Sequence, residues 1–257
     1  MEIFKIMGDK PKNQISAAAN SQFYDEYWTS MGNKLEFDEL QRVWFITDSF
    51  IKYTASNKLQ ILDMGCGRGW MAPYLSPFGS IVGVDFSPEG IKFARENYGS
   101  HGSFILADAN SHNLGLADNS IFDVLICSEV IEHLHDQKSF LKQLYSFLSP
   151  KGYLIFTTPN GNVWSLVNKL NAGQQWKQPI ENWISRDKLN ILLTESGFEI
   201  ITHEGCRLSY LIPFRIGLGR LEMFFSRLLR AIGLYSFYSR LISPFALYQL
   251  IVARKLT

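Results

Sequence analysis

An apolar run that ends in an acid and three closely spaced glycines constrains this chain most: Ile61-Leu62-Asp63-Met64-Gly65-Cys66-Gly67-Arg68-Gly69. The apolar part reads as a short strand buried on both faces. Glycines let a backbone turn sharply and let a ligand approach main-chain atoms closely. A helix that follows such a turn presents unpaired N–H groups at its start. Dinucleotide-binding units place a third glycine inside that helix, as G-x-G-x-x-G. Here the third glycine comes one residue early, at Gly69, and Trp70 holds the later place. That spacing opposes NAD.

Strand and helix signals alternate from Leu59 onward. Strands are expected at Leu59–Met64, Ser80–Asp85, Ser103–Ala107, Ile121–Cys127 and Tyr153–Thr158, with two more at Glu199–His203 and Ala246–Ala253. Helices are expected at Glu36–Tyr53, Pro88–Tyr98, Gln137–Leu148 and Arg186–Ser196, the last behind a Ser185 cap. Met1 to about Ser21 reads as a loose polar start. The alternation implies an α/β fold with a mostly parallel sheet and right-handed crossovers. Hydrophobic residues make up 46% of the 257 residues, enough for a real core. The formal net charge of +1 argues for no nucleic-acid partner. Three scattered cysteines form no metal pattern, and no signal run follows Met1, so a cytoplasmic location is expected.

Acids stand at matching places beyond the glycine turn. Asp85 ends the second strand, about 20 residues on, where an acid accepts hydrogen bonds from ribose hydroxyls. Asp108 follows the third strand in Leu106-Ala107-Asp108-Ala109. The fourth strand runs into Cys127-Ser128-Glu129-Val130-Ile131-Glu132-His133-Leu134. Leu148-Ser149-Pro150-Lys151-Gly152 precedes the fifth, which ends in Thr157-Thr158-Pro159-Asn160. Together these segments resemble class I S-adenosylmethionine (SAM)-dependent methyltransferases, in the branch with ubiquinone-biosynthesis-type O-methyltransferases. The resemblance covers about residues 57–204. It implies a Rossmann-like fold with a seven-stranded sheet and helices on both faces, from which a helical insertion before the last strand departs. It also implies SAM as cofactor and S-adenosylhomocysteine as product. The cofactor-binding set it implies is Asp63, near the methionine amino group, with Gly65, Cys66, Gly67, Asp85, Phe86, Asp108, Ala109 and Ser128. Asp108 would take the adenine amino group and the Ala109 N–H a ring nitrogen.

The expected reaction moves a methyl group to a small-molecule hydroxyl on a natural-product, quinone-like, sugar or lipid-linked acceptor. RNA methylation and cofactor binding without turnover are the alternatives. His133, just beyond the fourth strand on the ligand-binding rim, is the expected general base. Some relatives bind a divalent ion through the spacing E-x-x-E-H, here Glu129, Glu132 and His133. The RNA enzymes among them add a histidine after the fifth strand. Residues 159–185 contain none, and no metal is assigned.

The resemblance also implies an N-terminal aromatic segment over the cofactor. Phe23-Tyr24-Asp25-Glu26-Tyr27-Trp28 supplies one, with Tyr27 assigned to the cofactor site. Four regions follow: a helical segment 1–54, a SAM-binding core 55–204, a basic apolar helical insertion 205–245, and a final strand 246–257. From Gly205 onward the chain carries eight basic residues and one acid. Leu218, Leu221, Phe225, Leu228, Leu229 and Ile232 share a helical stripe that Arg220, Arg227 and Arg230 avoid. That is a basic amphipathic helix. Residues 207–243 are therefore a candidate for peripheral membrane contact, and equally for packing on the sheet, roofing the site or pairing as a dimer.

Overall fold

The computed structural model describes residues 17–30, 37–54, 58–111, 113–117, 120–170, 180–206 and 218–256. Nine helices and seven strands are seen among them. In chain order these are α1 (Ala17–Ser30), α2 (Phe37–Tyr53), β1 (Leu59–Met64), α3 (Ala72–Leu75), β2 (Gly79–Asp85), α4 (Pro88–Tyr98) and β3 (Ser103–Leu106). Next come β4 (Phe122–Ser128), α5 (Gln137–Phe147), β5 (Leu148–Pro159), α6 (Gly161–Leu170), α7 (Arg186–Glu195) and β6 (Phe198–Cys206). The insertion follows as α8 (Leu218–Ala231) and α9 (Tyr235–Ile242), before β7 (Tyr248–Lys255).

The sheet order is β3-β2-β1-β4-β5-β7-β6. Strands β1 to β5 pair in parallel, while β7 runs antiparallel to both β5 and β6. The seven-stranded, mostly parallel expectation holds. Alternating strand residues feed two cores. Leu62, Leu125, Leu154 and Phe156 face Phe140, Leu141 and Leu144 of α5 and Leu189 and Leu193 of α7. Ile61, Val124, Ile126 and Ile155 belong to the other core, with Val43, Ile46 and Phe50 of α2 and Ile91 and Ala94 of α4. Helices thus cover both faces, as both-sides-apolar strands require.

Local chemistry sets the helix starts. The Ser87 hydroxyl accepts from the Gly90 N–H and Pro88 opens α4. Asp136 caps α5 through the Ser139 N–H, and Ser185 caps α7 through the Lys188 N–H.

Several expectations need correction. Helix α1 begins at Ala17, inside the segment read as a loose start. Its weak apolar periodicity hid it. Strand β5 begins at Leu148 and reaches back to pair with Phe122. Lys151 at φ +65° takes up the turn that looked like a loop. Helices α6 and α9 were not foreseen. Leu218 and Leu221 of the proposed stripe have side chains outside the described residues.

Strands β2 and β4 flank β1 on opposite sides, so the chain order reverses there. Ligands of open α/β sheets bind at such a reversal, beyond the carboxyl ends of the strands.

Candidate active site

The end of β1 forms the floor. Gly65 and Gly67 have φ of +78° and +52°. A Cβ on Gly65 would lie 2.2 Å from Val130 Cγ2, so only glycine fits that bend. The Gly65 and Cys66 N–H groups both donate to the Val84 carbonyl, at 2.8 and 3.0 Å. Cys66 therefore has no free N–H to offer, and its thiol points into the core beside Gly83. Burial pushes that thiol well above its usual range. Its place in the site is as a small buried residue of the turn.

Asp85 sits at the end of β2. Its Oδ2 accepts from the Gly67 N–H and its Oδ1 from the Ser87 N–H, both at 2.9 Å. Each carboxylate oxygen keeps a further lone pair, which suits a neighbouring pair of hydroxyls. Asp63 is 4% exposed at the end of β1. Burial, then the nearby Asp85 charge, push its carboxyl up to about 7. A bound ammonium would relieve that cost. Asp108 follows β3, with Oδ1 accepting from the Asn110 N–H and side-chain amide at 2.8 and 3.0 Å. Its second oxygen takes no part in those bonds. Ala109 lies next to it, half-buried like Phe86. The donor and acceptor types along this rim fit an adenosyl group carrying an ammonium.

Helix α1 lies over this floor. The Tyr24 ring is buried, with centroids 5.2 Å from Phe86 and 5.6 Å from His133. Tyr27 is half-buried between Tyr24 and Trp28, at 6.3 and 5.0 Å. Trp28 stands over Gly67, whose Cβ position lies 2.7 Å from the indole. Asp25 Oδ1 accepts from the Ser87 hydroxyl at 2.5 Å and the Glu89 N–H at 3.3 Å. That ties α1 to the start of α4.

The end of β4 supplies the other wall. Glu129 has φ +58°, a strained value for a non-glycine residue. Its carboxylate accepts from the Thr157 hydroxyl at 2.9 Å, and Glu132 accepts from Thr158 at 3.0 Å. Burial pushes both carboxyls up to about 7. His133 lies in a short 3₁₀ turn, Ile131–His133. Its Nδ1 is 2.9 Å from the Ile180 carbonyl. A carbonyl oxygen only accepts, so Nδ1 carries the proton and Nε2 bears the lone pair. Glu132 Oε1 lies 3.7 Å from that Nε2. Burial lowers the imidazole pKa below 6.5, so the ring is neutral at pH 7. Asn182 braces the turn, donating to the Glu132 and Leu134 carbonyls. Ser128 is committed to the sheet, 2.8 Å from the Thr157 hydroxyl. Among the described residues, no group of three or more His, Cys, Asp and Glu side chains is arranged to hold a metal ion.

One residue escaped the sequence reading. Arg42 of α2 has a buried guanidinium 5.6 Å from the Tyr248 ring, and Glu129 is its strongest charge partner. Arg42 shares α2 with Lys52 and with Asp38, Glu39 and Asp48, so nothing local singled it out. Thr157 and Thr158, which hold the two glutamates, were legible only as a strand end.

A family model described as a methyltransferase domain matches residues 27–203. The chain belongs to that family. The methyltransferase domain is 28% identical over 204 residues to the mitochondrial ubiquinone biosynthesis O-methyltransferase of Rattus norvegicus, covering 70% of this chain and 58% of that protein. It is 26% identical to the ubiquinone biosynthesis O-methyltransferase of Hydrogenovibrio crunogenus, covering 65% and 70%. The chain thus spans little more than half the length of the rat relative. Magnesium protoporphyrin IX methyltransferase from Synechocystis, solved with S-adenosylhomocysteine bound, shares the fold at TM-score 0.60 and 14% identity, covering 91% and 94%. The class I SAM-dependent resemblance read from the residues is met, and with it the SAM cofactor.

Four buried acids make the ligand-free domain pH-sensitive. Asp63, Glu129 and Glu132 titrate near 7 and Asp85 near 6, all above their ordinary values of 3.8 to 4.5. A carboxyl raised by folding stabilises the fold at low pH, and that contribution is lost as pH rises through the folded pKa. His133 and His203, lowered by burial, act oppositely below about 6.5. Between about pH 6.5 and 8 the acids dominate, so the melting temperature of the ligand-free domain falls. S-adenosylhomocysteine should raise it more at pH 8 than at pH 6.5, because Asp63 is then charged and paired. A flat or rising melting curve across that interval, followed by differential scanning fluorimetry, contradicts this account.

Proposed function

We propose that the protein is an O-methyltransferase that uses His133 as general base on a small-molecule hydroxyl. The observation that carries the proposal is the fixed tautomer. The Ile180 carbonyl holds the Nδ1 proton, which leaves an unprotonated Nε2 at the end of β4. Support also comes from the relatives named as O-methyltransferases.

Asp85 would hold the ribose hydroxyls, Asp63 the amino group, and Asp108 with Ala109 the adenine edge. Bound SAM supplies a sulfonium-activated methyl group. Gly65 and Gly67 leave the floor low, and Tyr24 and Trp28 exclude water from above. In this reading His133 Nε2 accepts the acceptor's hydroxyl proton as the oxygen attacks in line. The Glu132 carboxylate, 3.7 Å away, steadies the imidazolium that forms. Positioning the two reactants and removing one proton each lower the barrier by several kcal/mol. Arg42 opposes, without cancelling, the burial and the Glu132 charge that raise the Glu129 carboxyl beside them.

The test uses methyl-labelled SAM with phenols, quinols, glycosides and total RNA as separate acceptors. Label recovered as a stable ether on a small hydroxyl compound is the expected result. Label in RNA alone, or none despite tight S-adenosylhomocysteine binding, defeats the proposal.

A further inference from the structure

Helix α9 is apolar on two opposite sides, and α8 turns most of its apolar stripe outward. Leu229, Tyr235 and Ile242 point inward and are buried. That inner side suffices to seat the pair, since Ser239 also bonds both the N–H and the carbonyl of Gly205 on β6. On the outer side Phe225 stands edge-on to Tyr238 at 6.0 Å, while large apolar side chains stay exposed. There Phe224, Phe225 and Leu228 of α8 are 66%, 47% and 45% exposed. Phe237 and Leu241 of α9, and Phe245 just beyond it, are 72%, 67% and 62% exposed.

The concentration matters more than any one side chain. Fifteen large hydrophobic residues are exposed among the described residues, and eight of them fall between Phe224 and Phe245. Scattered exposed apolar residues are ordinary, while a cluster marks an interaction surface. The charge of the same stretch is one-sided. It contains Arg227, Arg230 and Arg240 and no Asp or Glu. Arg230 turns inward over the Tyr235 ring at 3.6 Å. Arg227 lies 5.7 Å from the Trp44 ring and Arg240 3.9 Å from the Glu204 carboxylate, and both residues remain exposed at the surface.

We infer that the outer side of α8 and α9 docks on an anionic lipid surface. Aromatic and aliphatic side chains enter the headgroup boundary, and the arginines meet lipid phosphates. Charge favours this occupant over a second copy of the chain. A two-fold contact sets the same face against itself and brings arginine against arginine. No helix of the described residues is long and apolar enough to cross a membrane, so the contact is peripheral. The patch also adjoins the carboxyl end of β5. The Asn160 side-chain amide, at the end of β5, donates to the Pro244 carbonyl at 3.3 Å. Docking would turn that end of the sheet toward the lipid. The inference does not depend on the identity of the methyl acceptor.

Co-sedimentation of the full chain tests it, with vesicles of pure phosphatidylcholine and of equimolar phosphatidylcholine and phosphatidylglycerol. Pelleting is expected with the anionic vesicles, at least ~10-fold above the neutral ones, and weaker in high salt. The double variant F237E/L241E should lose pelleting by ~10-fold or more while binding S-adenosylhomocysteine like the parent. A second variant, R227Q/R240Q, removes no apolar area and should lose only the lipid-charge dependence. No pelleting with anionic vesicles overturns the inference, as does pelleting that F237E/L241E leaves intact. A dimer in sedimentation velocity that F237E/L241E dissociates, without vesicle binding by the parent, assigns the face to a second copy instead.

Discussion

Replacing Asp85 with alanine should weaken S-adenosylhomocysteine binding by on the order of 100-fold or more, read by calorimetric titration. In the proposed binding mode two ribose hydroxyls would lose a charged acceptor, and such bonds contribute roughly 1.5–3 kcal/mol each. Even the lower values sum to about 3 kcal/mol, or more than two decades in affinity. A second effect adds to the first. The Gly67 and Ser87 N–H groups each lose their acceptor, so the bend of the floor and the start of α4 loosen together. Asp85→Glu keeps both oxygens on a longer arm and should recover to within ~10-fold of the parent. Affinity within ~3-fold of the parent in Asp85→Ala would mean the ligand lies elsewhere.

Replacing His133 with alanine should lower kcat by roughly 10²–10⁴, the range of general-base assistance. Cofactor affinity should stay within about twofold, because the proposed role of the ring is toward the acceptor hydroxyl. The pH profile separates a base from a merely structural residue. In the parent, kcat/KM should climb as the imidazole loses its proton below 6.5, then level off. That rising limb should vanish in His133→Ala. A uniform loss with the limb intact would assign the ring to bracing the turn between Ile131 and Ile180. An unchanged rate would remove it from the reaction.

The sheet was legible because its signals are local and redundant. β1 was placed to the residue, since an apolar run meets a glycine turn whose φ values only glycine tolerates. The cap at Ser185 was equally plain. What stayed hidden depends on distant partners. Nothing near Arg42 in the sequence announces that α2 carries it into the field of Glu129, 87 residues further along the chain, an approach that only folding creates. The tautomer of His133 depends on a carbonyl 47 residues away. Strand β5 read short because Lys151 bends the backbone inside the strand rather than before it. The insertion showed its basic amphipathic character in α8. Its second exposed apolar face on α9 did not emerge, because a helix with two apolar sides carries a blurred periodicity.

Helix α1 joins two jobs in one rigid piece. Trp28 rests on the bend at Gly67 while, three residues earlier, Asp25 grips Ser87 and Glu89. Both contacts lie within a single helical turn, so a substitution that shifts one is carried to the other, and the bend after β1 and the start of α4 share one brace.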